Sequence, residues 1–477
     1  MHSCRFLRRW RAALPLLGIA CTVRAQQPAA GGDSLFAARL AGIVTEGELP
    51  GLRWPGLPDI TFDLRRAYDA TRWSPLWTRD GVPTAAARAT IEALAAVDRR
   101  GLEPRDYDVE RLRVLSGQRL STANTRAEFD ATLSIASSRV LLALRTGRIS
   151  ASEAHAHLRF PQDSVDIAAG LLRLASSADP SAVFDAQEPP YAHYQLLKRA
   201  LATYRASALT DSTAIAHVKQ IMLTLERWRW LPHQFNTTPI FVNIPAFRLH
   251  ALAANSDREA DMLSMDVVVG AAYDHRTPVF SDMLEYIVFA PYWDVPESIA
   301  RAELLDRALR DPRMLAVNNY QIVDARERVL KNSVSAVRAV AAGKARIRQL
   351  PGGTNALGRV KFVFPNEFNV YMHDTPTQSA FKRDRRDVSH GCIRLANPAA
   401  LARRLLRDQP AWDSTAIESA MRAREPRRVN LTTGVPVHVV YATAVAREDG
   451  TVQFHDDIYR LDAALAAQLA RGYPYRR

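Results

Sequence analysis

Cysteine is the scarcest reactive side chain in this chain, with three copies in 477 residues, at positions 4, 21 and 392. That excludes the disulfide framework that staples small secreted domains. There is no C-x-x-C pair and no H-E-x-x-H, the spacings that announce a zinc site. No apolar run approaches the roughly 20 residues needed to cross a bilayer. Acidic residues are outnumbered, 50 Asp and Glu against 63 Lys and Arg, for a net charge of +13. A basic chain suits anionic partners, but these arginines are scattered rather than striped with aromatics, which speaks against nucleic acid. The hydrophobic 47% and charged 24% are those of a globular protein, and the length calls for two or three domains.

The N-terminus has its own composition. Arg5, Arg8, Arg9 and Arg11 precede the apolar run from Ala12 to Val23, and Val23-Arg24-Ala25 offers an A-x-A-like cleavage site. Residues 1–25 therefore read as an export signal, with an uncleaved anchor or lipid attachment at Cys21 as the weaker alternatives. Cleavage would remove five arginines and no acid, leaving the chain basic and Cys392 as its one thiol. In an oxidising compartment a lone thiol is either buried or employed.

Residues 26–34 read as a flexible leader. From 35 to 230 the apolar spacing is helical, as in Ala85–Val97, and Tyr68, Trp73, Trp77 and Tyr107 suit a core better than a saccharide surface. This stretch is expected to be a helical scaffold domain. Near Pro239 the period changes. Ile240–Ile244, Met265–Gly270, Glu285–Phe289 and Val360–Phe364 are β-branched and aromatic runs bounded by Pro, Gly or Asn. They open a sheet-based domain expected over 231–465, interrupted by a charge-rich, helical insertion at 296–348 that would serve as a lid. Residues 466–477 are expected to be a C-terminal tail.

Ser389-His390-Gly391-Cys392-Ile393-Arg394-Leu395 is where chemistry concentrates. Strand alternation sends His390, Cys392 and Arg394 to one face and Ile393 and Leu395 to the other. Asn369-Val370-Tyr371-Met372-His373 alternates in the same way, so two neighbouring strands could present Cys392 and His373 to each other. An imidazole that takes the thiol proton makes a far stronger nucleophile. His390, two residues along the same strand, would sit about 7 Å from the sulfur, whereas a cross-strand residue approaches closer, so His373 is the expected base. The amides of Gly391 and Cys392 could face a developing oxyanion, and Arg394 could fork onto a carboxylate. A zinc site on His373, His390 and Cys392, or an inert buried cysteine, are the competing readings.

With His373 upstream, the Ser389–Arg394 stretch resembles the signature of the L,D-transpeptidase (YkuD-type) catalytic domain. Pro291–Pro296, Asn355–Phe362 and Tyr371–Pro376 are similar to its large periplasmic branch. The resemblance implies an α+β protein: a helical N-terminal scaffold followed by a mixed β-sandwich with an inserted helical capping subdomain. It implies that Cys392 attacks an L-centred diamino acid carbonyl in a peptidoglycan tetrapeptide stem and expels D-alanine. A neighbouring stem's amine would then resolve the thioester into a 3→3 cross-link.

His373 would act as base and then acid, oriented by the backbone carbonyl of Asp374, with the Gly391 amide at the oxyanion. Tyr371, Ser389, His390, Arg394 and Trp293 would bind substrate. The implied partners are donor and acceptor stem peptides, with carbapenems as acylating inhibitors and peripheral envelope association. No cofactor, metal or nucleic acid is expected. A peptidoglycan-binding module usual in that branch has no room, since Ala202–Glu226 offers only about one helix. A cysteine L,D-carboxypeptidase or hydrolase, and a non-catalytic peptidoglycan-binding protein, remain alternatives.

Overall fold

The computed structural model describes residues 32–472 apart from 155, 159, 161–163, 208–210, 236, 252–261 and 274. The expected signal segment, Cys21 and most of the leader lie outside the described residues. Among those described, no helix is long and apolar enough to cross a membrane.

The first half is helical. Its longest helix, Ala123–Thr146, starts at a capping box in which Thr122 and Thr125 satisfy each other's backbone amides. That helix is buried on nearly every side, and Phe129, Leu133, Val140 and Leu144 join Tyr68, Trp77 and Tyr107 in one core. Trp73 stacks on Tyr68 at 5.8 Å. Of the aromatics singled out in the sequence, Tyr68, Trp77 and Tyr107 are core and Trp73 is half-buried against it. Asp130, sealed among them, accepts from Tyr68 Oη at 2.8 Å and from the Trp77 amide at 2.9 Å. Burial pushes its carboxyl up to about 6, against the pull of those hydrogen bonds.

Packing crosses residue 230 without a break. Ala192–Ser207 and Ser212–Trp228 put Tyr194, Leu197, Leu225 and Trp228 against Phe241, Ala444 and Ala446 of the second half. Strand Ala156–Leu158, from the helical half, adds in parallel to Val279–Phe289.

The second half is a mixed sheet. In pairing order its strands are Val360–Val363, Met372–His373, Ile393–Leu395, Leu263–Gly270, Arg248–Ala251, Ile240–Asn243, Arg427–Val440 and Val279–Phe289. The last also pairs with the first, Phe289 against Val360, so these eight described strands close on themselves. Inside lie Val267, Ile287, Phe362, Met372, Ile393 and Leu395, all fully buried. Each such side chain contributes about 1.5–3 kcal/mol by leaving water.

Two expectations need correction. The insertion is not only helical: its helices share one apolar core with a four-stranded sheet ordered Val329–Leu330, Tyr320–Asp324, Ala345–Gln349 and Trp293–Asp294. These strands are short and carry Arg346 and Arg348 on an exposed face, which hides them from a search for apolar runs. The tail expected from 466 begins inside helix Leu461–Ala470, whose Leu465 is buried and whose Ala466 and Leu469 pack beside it.

Candidate active site

Three adjacent strands build the site. Met372–His373 runs parallel to Ile393–Leu395, with Met372 opposite Ile393 and His373 opposite Arg394. Because Met372 and Ile393 are committed to the core, alternation sends His373, Arg394, Tyr371 and Cys392 to the other face. On the far side of His373, Lys361 is its register partner on Val360–Val363.

The direct neighbour of the sulfur is Tyr371, not His373. The Ile393 amide donates to the Tyr371 carbonyl at 3.0 Å, which sets Tyr371 across from Cys392 and His373 one pair further along. The amide and hydroxyl of Tyr371 are close enough to the sulfur to favour its thiolate. The thiol lies 3.8 Å from the Asn369 carbonyl, on a loop that Asn366 ties down by bonds to the Phe368 and Val370 amides. Asn369 itself has φ +53°, so the strand expected over 369–373 forms only at 372–373.

The Ser389–Leu395 stretch is two strands rather than one. Asp387–Ser389 and Ile393–Leu395 lie along the same neighbour in opposite senses, broken at Gly391 with φ +109°. The break removes His390 from the Cys392 face. It is exposed, its Nε2 is 2.9 Å from Glu303 Oε1 on the insertion, and its ring is 4.7 Å from His275.

The Gly391 amide is not available to an oxyanion, because it donates to Ser389 Oγ at 3.1 Å, and Ser389 Oγ donates in turn to the Cys392 carbonyl at 2.6 Å. Ser389 is thus spent on the turn, which leaves the Cys392 amide as the remaining candidate of the two. Behind the turn, Thr277 Oγ1 accepts from the Gly270 amide at 2.8 Å and donates to the Gly391 carbonyl at 2.7 Å. A Cβ on Gly270 would come within 1.8 Å of the His275 carbonyl, so only glycine allows this approach.

His373 is 4% exposed and its Nδ1 is 2.5 Å from the Asp374 carbonyl oxygen. If Nδ1 carries the proton, that contact leaves Nε2 as the basic nitrogen. The Asp374 carboxylate accepts from the amides of Arg359 and Thr375 at 2.8 and 2.7 Å, holding the segment that supplies the carbonyl. Burial pulls the imidazole down to about 3; the bond to Asp374 opposes this and the charges of Arg394 and Lys361 reinforce it. Burial likewise pushes the Cys392 thiol up, against Tyr371, Arg394 and Lys361. Both shifts favour the neutral thiol and the neutral imidazole over the ion pair that the sequence suggested.

Trp293 packs toward the insertion's core, its ring 6.4 Å from Tyr320. In the basic loop before Ser389, Arg385 and Arg386 pair with Asp387 and Asp266 at 2.6 and 3.2 Å. No cluster of three metal-ligating side chains occurs among the described residues.

Sequence reasoning missed Lys361. The signal was a lone charge at the outward position of Val360-Lys361-Phe362, which resembles any solvated strand residue. It also missed Glu303, on a helical turn with no motif.

A cysteine, a histidine held by a backbone carbonyl and flanking cations share one face of a closed mixed sheet, the set of groups that thiol-based acyl transfer would use. Residues 238–439 match the family model of the L,D-transpeptidase catalytic domain, and residues 63–201 match that of a scaffold domain. Over residues 238–439 the chain is therefore similar to L,D-transpeptidase catalytic domains. A Haemophilus influenzae protein named "Putative L,D-transpeptidase" is 29% identical over 245 residues, 51% of this chain and 48% of its own length. The match thus spans about half of the relative.

Proposed function

We propose that the protein is an exported L,D-transpeptidase that forms 3→3 cross-links in peptidoglycan through a thioester at Cys392. The observation that carries this is the placement of Cys392, Tyr371, His373 and Arg394 on one face of two paired strands. Sγ attacks the carbonyl of the L-centred diamino acid in the donor tetrapeptide while its proton passes to His373 Nε2. The Cys392 amide receives the oxyanion. Collapse breaks the peptide bond, and the departing D-alanine amine takes the proton from His373. The side-chain amine of an acceptor stem then attacks the thioester, His373 removes its proton, and collapse returns that proton to the sulfur.

Tyr371 holds the sulfur in line, and Arg394 meets substrate carboxylate. A buried imidazole is a weak base, so transfer is concerted with attack rather than preceding it. Carbapenems would acylate the same sulfur. The N-terminal segment directs the chain to the periplasm, where its basic surface favours peripheral contact with the anionic envelope.

Incubation with isolated tetrapeptide muropeptides, read by mass spectrometry, tests the reaction. Cross-linked dimers with loss of D-alanine are expected. Shortened monomers alone would make the protein a hydrolase, and unchanged substrate would leave a binding protein.

A further inference from the structure

The mechanism leaves one charged group of the site face without a task. Lys361 is the register partner of His373, and its ammonium is 5.5 Å from the centroid of the Tyr371 ring that faces the sulfur. It is half-buried on a strand whose neighbours Val360 and Phe362 are core. Among the described residues no carboxylate lies within ion-pair distance of it, and the same holds for Arg394, whose Nε is buried without a partner. Asp294, the carboxylate whose charge acts on Lys361, is already bound by Arg346 and Arg348 at 3.0 and 2.8 Å. Burial pulls both Lys361 and Arg394 below their ordinary values. Two cations kept near a nucleophile without an anion are ready for one supplied from outside.

We propose that Lys361 is a substrate-binding residue whose ammonium receives the carboxylate at the far end of the donor's diamino acid side chain. The proposal rests on the transpeptidase reading of the Cys392 site. Geometry divides the anions between the two cations. Arg394 stands one residue pair along from Cys392 on the same strand, near the scissile bond, and suits the leaving D-alanine carboxylate. Lys361 is two strands away, roughly 10 Å by strand spacing. A carboxylate borne on a side chain several bonds long reaches that far, whereas one adjacent to the scissile bond does not. Lys361 would therefore set specificity for a diamino acid with a free second carboxylate over one that is amidated or lacks it.

The test uses the full-length protein and its Lys361→Met and Lys361→Arg variants, with two tetrapeptide donors that differ only in whether the side-chain carboxylate is free or amidated. Donor consumption gives kcat and KM, and the pH profile of Cys392 alkylation by iodoacetamide reports on the thiol. Lys361→Met should raise KM for the free-carboxylate donor by about tenfold to a hundredfold, the loss expected for a charge-assisted bond. The loss should shrink to within about threefold on the amidated donor, where that bond is absent. Lys361→Arg should restore part of the preference and, because it keeps the charge, the wild-type alkylation profile, whereas Lys361→Met should move that profile toward higher pH with either donor. An equal loss on both donors would overturn the proposal and make Lys361 a residue that only tunes the sulfur.

The parent reading fails separately. If the wild type consumes neither donor, calorimetric titration of both into Cys392→Ala, with and without Lys361→Met, still decides. A preference for the free carboxylate that disappears with Lys361 supports the assignment, and equal binding refutes it.

Discussion

Cations are buried in two opposite ways in this molecule. At the junction of the halves, Arg229 is fully buried but bonds Glu226 at 3.1 Å and Tyr194 Oη at 3.2 Å. Glu226 also faces Arg148 and accepts from the Ile149 amide at 3.1 Å, and Arg100 pairs with Asp185 and Glu188 at 2.8 and 3.4 Å. Every charge there has its counter-charge inside the chain. At the site, Lys361 and Arg394 have none among the described residues. Removing one partner of a buried pair is destabilising, whereas removing an uncompensated buried charge relieves strain. The junction is therefore built for cohesion, and the site tolerates a cost in stability for the sake of an incoming anion.

Breaking this comparison at the nucleophile should give the largest effect. Cys392→Ala should lower cross-linking by about four orders of magnitude or more, measured by dimer formation, with the melting temperature nearly unchanged. A loss of only a few fold would remove the thioester from the mechanism.

At the junction, Glu226→Gln should lower the unfolding free energy by about 3–5 kcal/mol in urea titrations, because it strands Arg229 and Arg148 in the interior. A change below about 1 kcal/mol would show the cluster to be dispensable. Arg394→Met should go the other way, leaving stability unchanged or raising it by about 1–2 kcal/mol while activity falls. A marked destabilisation would mean that Arg394 has a structural partner.

His438 sharpens the comparison as a third case, a ring buried without charge. It stacks on Phe241 at 5.3 Å with neither nitrogen bonded, and burial pulls it down to about 3. Its unfolded form takes up a proton below about 6.5 while the folded form does not. The wild type should therefore hold this contribution above pH 6.5 and lose it as pH falls toward 3. Relative to His438→Phe, the wild type should lose roughly 1 kcal/mol per pH unit in that window. A pH-independent difference would show that the ring is charged or solvated in the fold.

The site was legible in the chain to the extent that alternation governed it. Ile393, Leu395 and Met372 are apolar enough to commit one face to the core, and that placed Tyr371, His373, Cys392 and Arg394 together on the other. The same rule failed at His390, because one glycine with a positive φ breaks the pleat and swings that ring to Glu303. It failed at the Gly391 amide too, since a serine two residues earlier captures it. The insertion's strands stayed hidden because ion pairs, not apolar runs, line their outer face.

The choice of Cys392 as candidate nucleophile and the order of helical half before sheet half followed from composition and periodicity alone, which depend only on neighbours along the chain. The tertiary structure decided which residue lies across from the cysteine, that Lys361 shares its face, and that burial favours the uncharged thiol and imidazole. Those depend on cross-strand register and on distance from water, which residues far apart in sequence set together.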